Sequence, residues 1–513
     1  MKTRLFQRLK NRTLPSFLLL FLASAALRVS AKTVVIGSGS GNLSVTSMNG
    51  LSAGDVLAIK PGTYTGAGFS NLSGVSIINN GALVTFTGSI SISNLTNVTI
   101  AGNGASGLTY GFFATSKTPV FVVQGKCSGL RIYNFDNTGV GQFFNASQNG
   151  MATYNGNVST KLLYKTAIGN IRLTSSGQFL QGSYGSTTDF KNVIDSIAIF
   201  NVIITNTTSN GQQVAGASIY HLDAHDWTVT GPVPNSSGDV GIFQIYGNAR
   251  VHNIYRNGGY GYIMRIFNTG LDGVSDSYLY NCIDLNSVMY GTIDTRVDPT
   301  GFTSGKTPPF CTGGNIHVLN NTAGNKTETD GYTTCLVIVG PFTGYKCEIR
   351  NNISFNTSQI QASKLIQMNA GDALPDTSNN LYFTTAQIGN VLVDQVNCYL
   401  KTGSPAINTG YAEAFITTDI GGITRPQGGV IDIGAREYTG AQQATATVTS
   451  LVATPSVSST TVQWQTDSET TAKQFVIQRS TDGSNWSSVD SVPAAGKSSS
   501  QLHYSYKYNY KKP

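Results

Sequence analysis

Short runs of alternating apolar and polar residues recur along most of this chain, and long helix-period segments are absent. The clearest pair is Asn71–Gly81 and Asn94–Gly104. Leu72, Val75 and Ile77 of the first fall on Leu95, Val98 and Ile100 of the second at a shift of 23. Similar runs lie at Gly129–Phe135, Asp195–Asn206, Ala249–Gly258, Val274–Cys282, Asn315–Asn321 and Cys347–Asn356, most of them closing on or near an Asn. Alternation over a few positions is the strand period, and a repeat of this length without helices is the signature of a solenoid. One coil of short strands cannot bury its inward side chains alone, so the coils above and below must cover them. An Asn at a repeated corner can stack on its equivalents and exchange amide hydrogen bonds. Asn257 and Asn281, 24 apart, are expected to be such vertical neighbours. The pattern predicts an all-β protein: a right-handed parallel β-helix over residues 32–439. Residues 140–188 are less regular, and longer insertions fall at Gly231–Asp239 and Asp298–Gly314.

Composition supports this picture. Only 12% of the residues are charged, 40% are hydrophobic and Gly is abundant, which suits a turn-rich β protein rather than a disordered one. The formal charge of +7 is concentrated at the N-terminus. Lys2, Arg4, Arg8, Lys10, Arg12 and Arg28 precede or flank the apolar run Leu14–Ala26, and Val29-Ser30-Ala31 offers a small-residue cleavage site. This reads as a signal peptide at 1–31, with a membrane anchor as the alternative; the run is short for a span. Without those six charges the mature chain stands at +1, so nothing points to nucleic acid or to a membrane surface as partner. The expected protein is secreted or held at the cell surface, monomeric and not integral to a membrane. Six scattered cysteines include no CxxC pair, which argues against a metal cluster. Cys311–Cys335 and Cys335–Cys347 are the nearest disulfide candidates in sequence; buried apolar thiols are the alternative.

Two stretches carry a family resemblance. Gly54-Asp55 with Lys60-Pro-Gly-Thr-Tyr64 resembles the opening coil of secreted pectate-lyase-like β-helix proteins. Ser404–Gly410, Asp419–Gly422, Arg425-Pro426 and Asp432–Tyr438 resemble the closing segment of many bacterial members, with Asn408 where the usual form has Asp. The resemblance implies the fold over residues 33–438. It leaves activity open, since the superfamily includes lyases, hydrolases, esterases and non-enzymatic adhesins. After a small-residue linker at 440–452, Trp464, Ser468-Glu469, Phe475, Arg479-Ser480, Asp482-Gly483 and Trp486 resemble an incomplete fibronectin-III-like, β-sandwich module over 453–513.

Uronic-acid lyases need a cation against the substrate carboxylate and a base for the proton alpha to it, whereas hydrolases need two carboxylates. Side chains on one outward face stand about 4.8 Å apart from coil to coil, so residues one coil apart in sequence can share a site. The densest ionisable cluster is His221, Asp223, His225 and Asp226, followed one coil on by Arg250, His252 and Arg256, and then by Asp276. We read His225 or His252 as the base, Arg256 as the carboxylate partner, and Asp223 or Asp226 as the orienting group or cation ligand. Arg250, Asp276 and Tyr255 complete the substrate-binding set. A solvated outward face accounts for the same residues. The spacing of His221, Asp223 and His225 also allows a metal pair on one strand face, but a fourth ligand is missing. Tyr246, Tyr255, Tyr260, Tyr262, Tyr278, Tyr280 and Tyr290 cluster on these coils and suit sugar stacking. The pectinesterase GxYxE, the pectate-lyase RxPxxR and the paired aspartates of polygalacturonases are all missing, so no known active site transfers. The reading is a carbohydrate-active β-helix protein, a lyase on acidic glycans with a calcium ion as the expected cofactor of such chemistry, or alternatively a glycan-binding or adhesin-like protein without catalysis.

Overall fold

The coils stack as the shift of 23 requires. Leu72 and Leu95 lie on adjacent coils, joined by the Thr96 N–H to Leu72 carbonyl bond; Ile77 sits opposite Ile100, and Asn94 Nδ2 donates to Asn71 Oδ1 at 3.0 Å. The structure is a computed structural model. It describes residues 31–440 and 446–509, apart from 106, 148–156, 183–191, 209–211, 217–218, 232–240, 268–274, 289–290, 298–313, 328–336, 343–345, 357–365, 369–375, 457, 470–473, 481–485, 497 and 499. Residues 1–30 of the expected signal peptide, residues 232–239 and 298–313 of the two long insertions, Tyr290, the Asp482-Gly483 turn and the disulfide candidates Cys311 and Cys335 therefore lie outside the described residues. Cys127, Cys282, Cys347 and Cys398 are buried free thiols.

Among the described residues thirty-three strands form one continuous parallel network, which folds into three main ladders and a short one through Leu95–Thr96, Cys127–Ser128 and the first residues of the long strands. The first ladder runs through Val56–Ile59, Ser76–Asn79 and Thr99–Ala101. It continues through the opening halves of Arg131–Thr138, Leu163–Thr174, Ile194–Thr205, Ile219–Thr230 and Ala249–Asn257, then through Ser277–Tyr280, Ile316–Leu319, Cys347–Arg350 and Asp376–Ser378. The second holds the closing halves of the long strands and ends at Leu381–Phe383. The third includes Gln212–Gly216, Gly241–Ile245 and Tyr262–Phe267. All the described solenoid pairings are parallel, which is the parallel β-helix expected from the sequence.

The long strands turn from the first ladder into the second at one residue. Asn134, Asn170, Asn201, Asp226, Asn253, Asn281, Asn320, Asn351 and Asn379 occupy that corner, with φ between 52° and 64°. Asn and Asp tolerate this left-handed conformation, which costs other L-residues more. Asn170 Nδ2 donates to Asn134 Oδ1 at 2.5 Å, Asn253 to Asp226 at 3.1 Å and Asn351 to Asn320 at 3.2 Å. The expected Asn257–Asn281 column needs correcting. Asn281 stands in the Asn253 column, while Asn257 pairs with Leu285 and accepts from Asn286 at 2.7 Å. The coil there is 28 residues, not 24, because Arg250 and His252 face Tyr278 and Tyr280.

Inside, the solenoid is packed mainly with apolar side chains. An unbroken aromatic series runs from Tyr64 through Phe86, Phe112, Phe135, Phe121, Phe143, Phe179 and Trp227 to Phe243, with successive centroids 4.9 to 6.1 Å apart. Ile, Val and Leu fill most of the remaining inward positions. After Phe383 the chain turns back along the outside. Its residues Ile388, Leu392, Cys398 and Leu400 cover the outer face of the second ladder. The corner amides of Asn281, Asn320, Asn351 and Asn379 donate to the carbonyls of Thr418, Asp432, Tyr411 and Thr409. Beyond residue 445 stand two small antiparallel sheets. One joins Ala446–Pro455, Ser459–Glu469 and Leu502–Asn509; the other joins Gln474–Ser480 and Trp486–Pro493. The linker expected over 440–452 is thus a strand from Ala446 onward.

Candidate functional site

The outward face of the first ladder carries the ionisable residues singled out in the sequence, in a register two residues longer than the spacing suggested. Asp223 lies opposite Arg250, and His225 opposite His252. The next coil adds Tyr278 and Tyr280. Two rows result. In the first, Phe200, His225, His252 and Tyr280 stack ring on ring, with centroids 5.5, 4.9 and 4.6 Å apart and planes within 14° of parallel. The second runs Asp223, Arg250, Tyr278, His317, Glu348 and Asp376, with Tyr278 stacked on His317 at 4.5 Å.

Each solenoid histidine meets a carboxylate. His225 Nδ1 lies 2.8 Å from Asp226 Oδ2, and His252 Nε2 lies 3.3 Å from Asp223 Oδ1. His221 Nδ1 is 2.6 Å from Asp195 Oδ1, whose other oxygen binds Lys161. His317 sits between Glu348 at 2.7 Å and Asp276 at 3.2 Å. These contacts move the titrations. The hydrogen bond that His225 donates to Asp226 raises the imidazole above its ordinary value, against burial. Asp226 is lowered in return, first by His225 and then by Asn253. Burial works to raise Asp223, but His252 and the charges of His225 and Arg250 outweigh it and hold the carboxyl low.

Arg250 is an exposed cation of this face. Its Nε and Nη2 both donate to the Tyr280 hydroxyl, at 2.9 and 2.7 Å, and its guanidinium lies over the Tyr280 and Phe415 rings. Burial pushes Tyr280 up to about 12, so its oxygen receives these bonds as a neutral phenol. Phe415 comes from the closing segment and meets Tyr278 and Tyr280 edge-on. The same segment brings Tyr411 over Arg350 at 4.7 Å and Glu413 to 3.7 Å from it. Burial raises Glu413 above the ordinary carboxylate range, against the pull of Arg350.

Three expected members stand elsewhere or at the margin. Arg256 is turned into the interior, 2% exposed. Its Nε and Nη2 grip both oxygens of the fully buried Asp284 at 2.7 and 2.8 Å, and Lys326 reaches the same carboxylate at 2.8 Å. It cannot meet a substrate carboxylate on the outer face. Tyr255 packs under the closing segment beside Leu381 and Ile388, where burial raises its hydroxyl. Asp276 lies on the outer face but pairs with His317 and the Asn315 N–H rather than with His252. Among the described residues no group of three His, Cys, Asp or Glu side chains is placed to hold a metal, so the His221-Asp223-His225 arrangement does not converge. Tyr246, which stacks on Phe267, and Tyr262, whose hydroxyl donates to Gln244, lie on the third ladder, away from this face. Phe415, Tyr411 and Glu413 were not anticipated; they lie some 160 residues on, and no local pattern ties them to these coils.

No family model matches the sequence, and no curated protein matches it. Among solved structures the chain is similar to the A-module of mannuronan C-5 epimerase AlgE6 from Azotobacter vinelandii, at 11% identity and a TM-score of 0.38, covering 70% of this chain and 92% of that one. It is also similar to the Agl-KA catalytic domain, at 11% identity and a TM-score of 0.26, over 65% and 63% of the two chains. A third is the polygalacturonase from Erwinia carotovora ssp. carotovora, at 8% identity and a TM-score of 0.20, over 70% and 99%. These likenesses concern the parallel β-helix fold, which the strand pairings of this chain establish by themselves. No helix among the described residues is long and apolar enough to cross a membrane.

Proposed function

We propose that this chain is an exported, carbohydrate-active β-helix protein that cleaves an acidic polysaccharide by β-elimination on the outer face of its first ladder. One observation carries the reading. His225 and His252 are stacked 4.9 Å apart, each against a carboxylate, beside the exposed Arg250. That is what uronate elimination asks for: a base, a second proton-transfer group one coil away, and a fixed cation for the sugar carboxylate. Arg250 takes the role first assigned to Arg256. With the carboxylate on Arg250, His225 removes the proton at C5. The C5–H electrons form the C4–C5 double bond, the C4–O bond breaks, and the departing oxygen takes a proton from His252. The aromatic edges of Tyr278 and Phe415 border the face and suit an apolar sugar surface. The signal-peptide pattern at the N-terminus supports export.

The test is the release of unsaturated uronides, read by ultraviolet absorbance, from a panel of pectin, alginate and glycosaminoglycans. The expected result is product from at least one of them, lost by more than about 100-fold in His225→Ala, the usual scale for removing a general base. A protein that binds one of these glycans and releases no product from any would replace this reading with the non-catalytic one.

A further inference from the structure

The left-handed corner column described above is asparagine at eight of its nine positions. Asp226 takes the same left-handed conformation, φ 59°, between Asn201 and Asn253 with φ 52° and 54°. It is not needed there for shape, since Asn serves the other corners. It is also poorly suited to the amide ladder, because a carboxylate can only accept. It accepts from Asn253 Nδ2 at 3.1 Å through Oδ1 and turns Oδ2 to His225 Nδ1 at 2.8 Å. The imidazole beside it is half-exposed, stacked between Phe200 and His252, and makes no other hydrogen bond among the described residues. With Nδ1 claimed, the remaining lone pair belongs to Nε2. One coil up the orientation is reversed: His252 turns Nε2, not Nδ1, to its carboxylate.

We propose that Asp226 is a positioning residue whose carboxylate, set at a corner built for asparagine, fixes His225 with Nδ1 protonated and Nε2 open, and so decides which of the two stacked imidazoles accepts the substrate proton. The proposal rests on the elimination chemistry above, but its first test does not. The groups that face His225 are Asp226 at the corner, Asp223 two residues back, and Arg250 and His252 on the adjacent strand; Phe200 on the other side carries no charge. Of these only Asp226 touches the ring nitrogen.

Asp226→Asn is the informative variant, because Asn already fills the rest of the column and the fold should be kept. The measurement is nitrogen-15 NMR of the imidazoles across pH in the intact protein. In the native protein, neutral His225 should be the Nδ1–H form. In Asp226→Asn its titration midpoint should fall by about one pH unit, the low end of what one adjacent charge does to a partner. His317, on a separate pair of carboxylates, should not move. On whichever glycan is cleaved, the acid limb of kcat/KM should move down by the same amount and the plateau should fall, while a merely structural role would lower the melting temperature and leave the limb in place. An unmoved His225 titration in Asp226→Asn, or a neutral Nε2–H form in the native protein, overturns the proposal. If the NMR shift appears but no glycan is cleaved, the positioning stands and the elimination reading falls.

Discussion

At the scale of single residues, the face a side chain takes was legible up to the corner and not beyond it. Within a ladder the period is two, so an error of two residues in register left Asp223, His225, Arg250 and His252 on the same outward face. Arg256 was misplaced for a different reason. On an unbroken strand it would share the face of His252. Asn253 at φ 54° turns the chain, and Ile254 and Arg256 then point inward. Nothing in the composition marks that reversal; only an Asn known to be left-handed would have shown it. The buried Arg256–Asp284 pair should therefore matter for folding, not for catalysis. Arg256→Ala should cost about 3–5 kcal/mol in urea unfolding, as for a buried pair stripped of one partner, while leaving glycan cleavage by the surviving folded protein unchanged. Its pH signature also differs from that of His225. Asp284 is held far below its ordinary range: burial opposes ionisation, but Arg256 and Lys326 prevail. Its contribution is thus present above the unfolded carboxyl pKa and fades only as pH falls through the depressed value. His225 is raised, so its contribution is complete below the unfolded imidazole pKa and disappears as pH climbs through the folded one. Stability of the native protein should decline from about pH 6.5 upward by more than that of His225→Ala, as read from urea midpoints; parallel curves would show that the pair with Asp226 adds nothing.

At the scale of elements, the asparagine corners were legible as a repeat, though not their exact column. Runs ending in Asn announced a recurring turn. They did not distinguish Asn253, at the corner between two ladders, from Asn257, at the end of the second. Insertions made the difference, since hydrogen-bonded equivalents lie 23, 27, 31 and 36 residues apart in different parts of the chain. If the left-handed conformation is the reason for Asn at these positions, Asn320→Gly should retain more stability than Asn320→Ala. Both lose the 2.9 Å bond to the Asp432 carbonyl, but only Ala adds the strain of about 1–2 kcal/mol. The reverse order in thermal unfolding would remove the backbone argument. The closing segment is the element that sequence reading reached only as a family likeness. Its fold-side part was anticipated, while its Tyr411, Glu413 and Phe415 edge was not. Phe415→Ala should weaken stability by about 0.5–1.5 kcal/mol, the scale of an aromatic pair, and free Arg250 on one side. Retention on a glycan affinity gel should drop with it, and unchanged retention would exclude Phe415 from the binding face.

At the scale of the whole molecule, stacking along one axis makes stability a sum over neighbouring coils. The shift of 23 between Leu72 and Leu95 was enough to foresee this, because it encodes burial between coils and not within one. Hydrogen exchange should be slowest in the coils around Phe121, Phe143 and Phe179, which have aromatic neighbours on both sides, and faster toward Thr33–Ile36. Phe121→Ala should cost about 3–5 kcal/mol, as expected for a large buried ring. Uniform protection from the first strand to the last would contradict this additive view. The returning tail adds a further consequence. By gripping Asn281, Asn320, Asn351 and Asn379, it acts as a gauge of the final turns of the spiral. A duplicated turn spliced in before Leu163 should therefore lengthen the rod by about 4.8 Å and leave the His225–His252 face intact. The same splice after Asn281 would put the gauge out of step with what it measures.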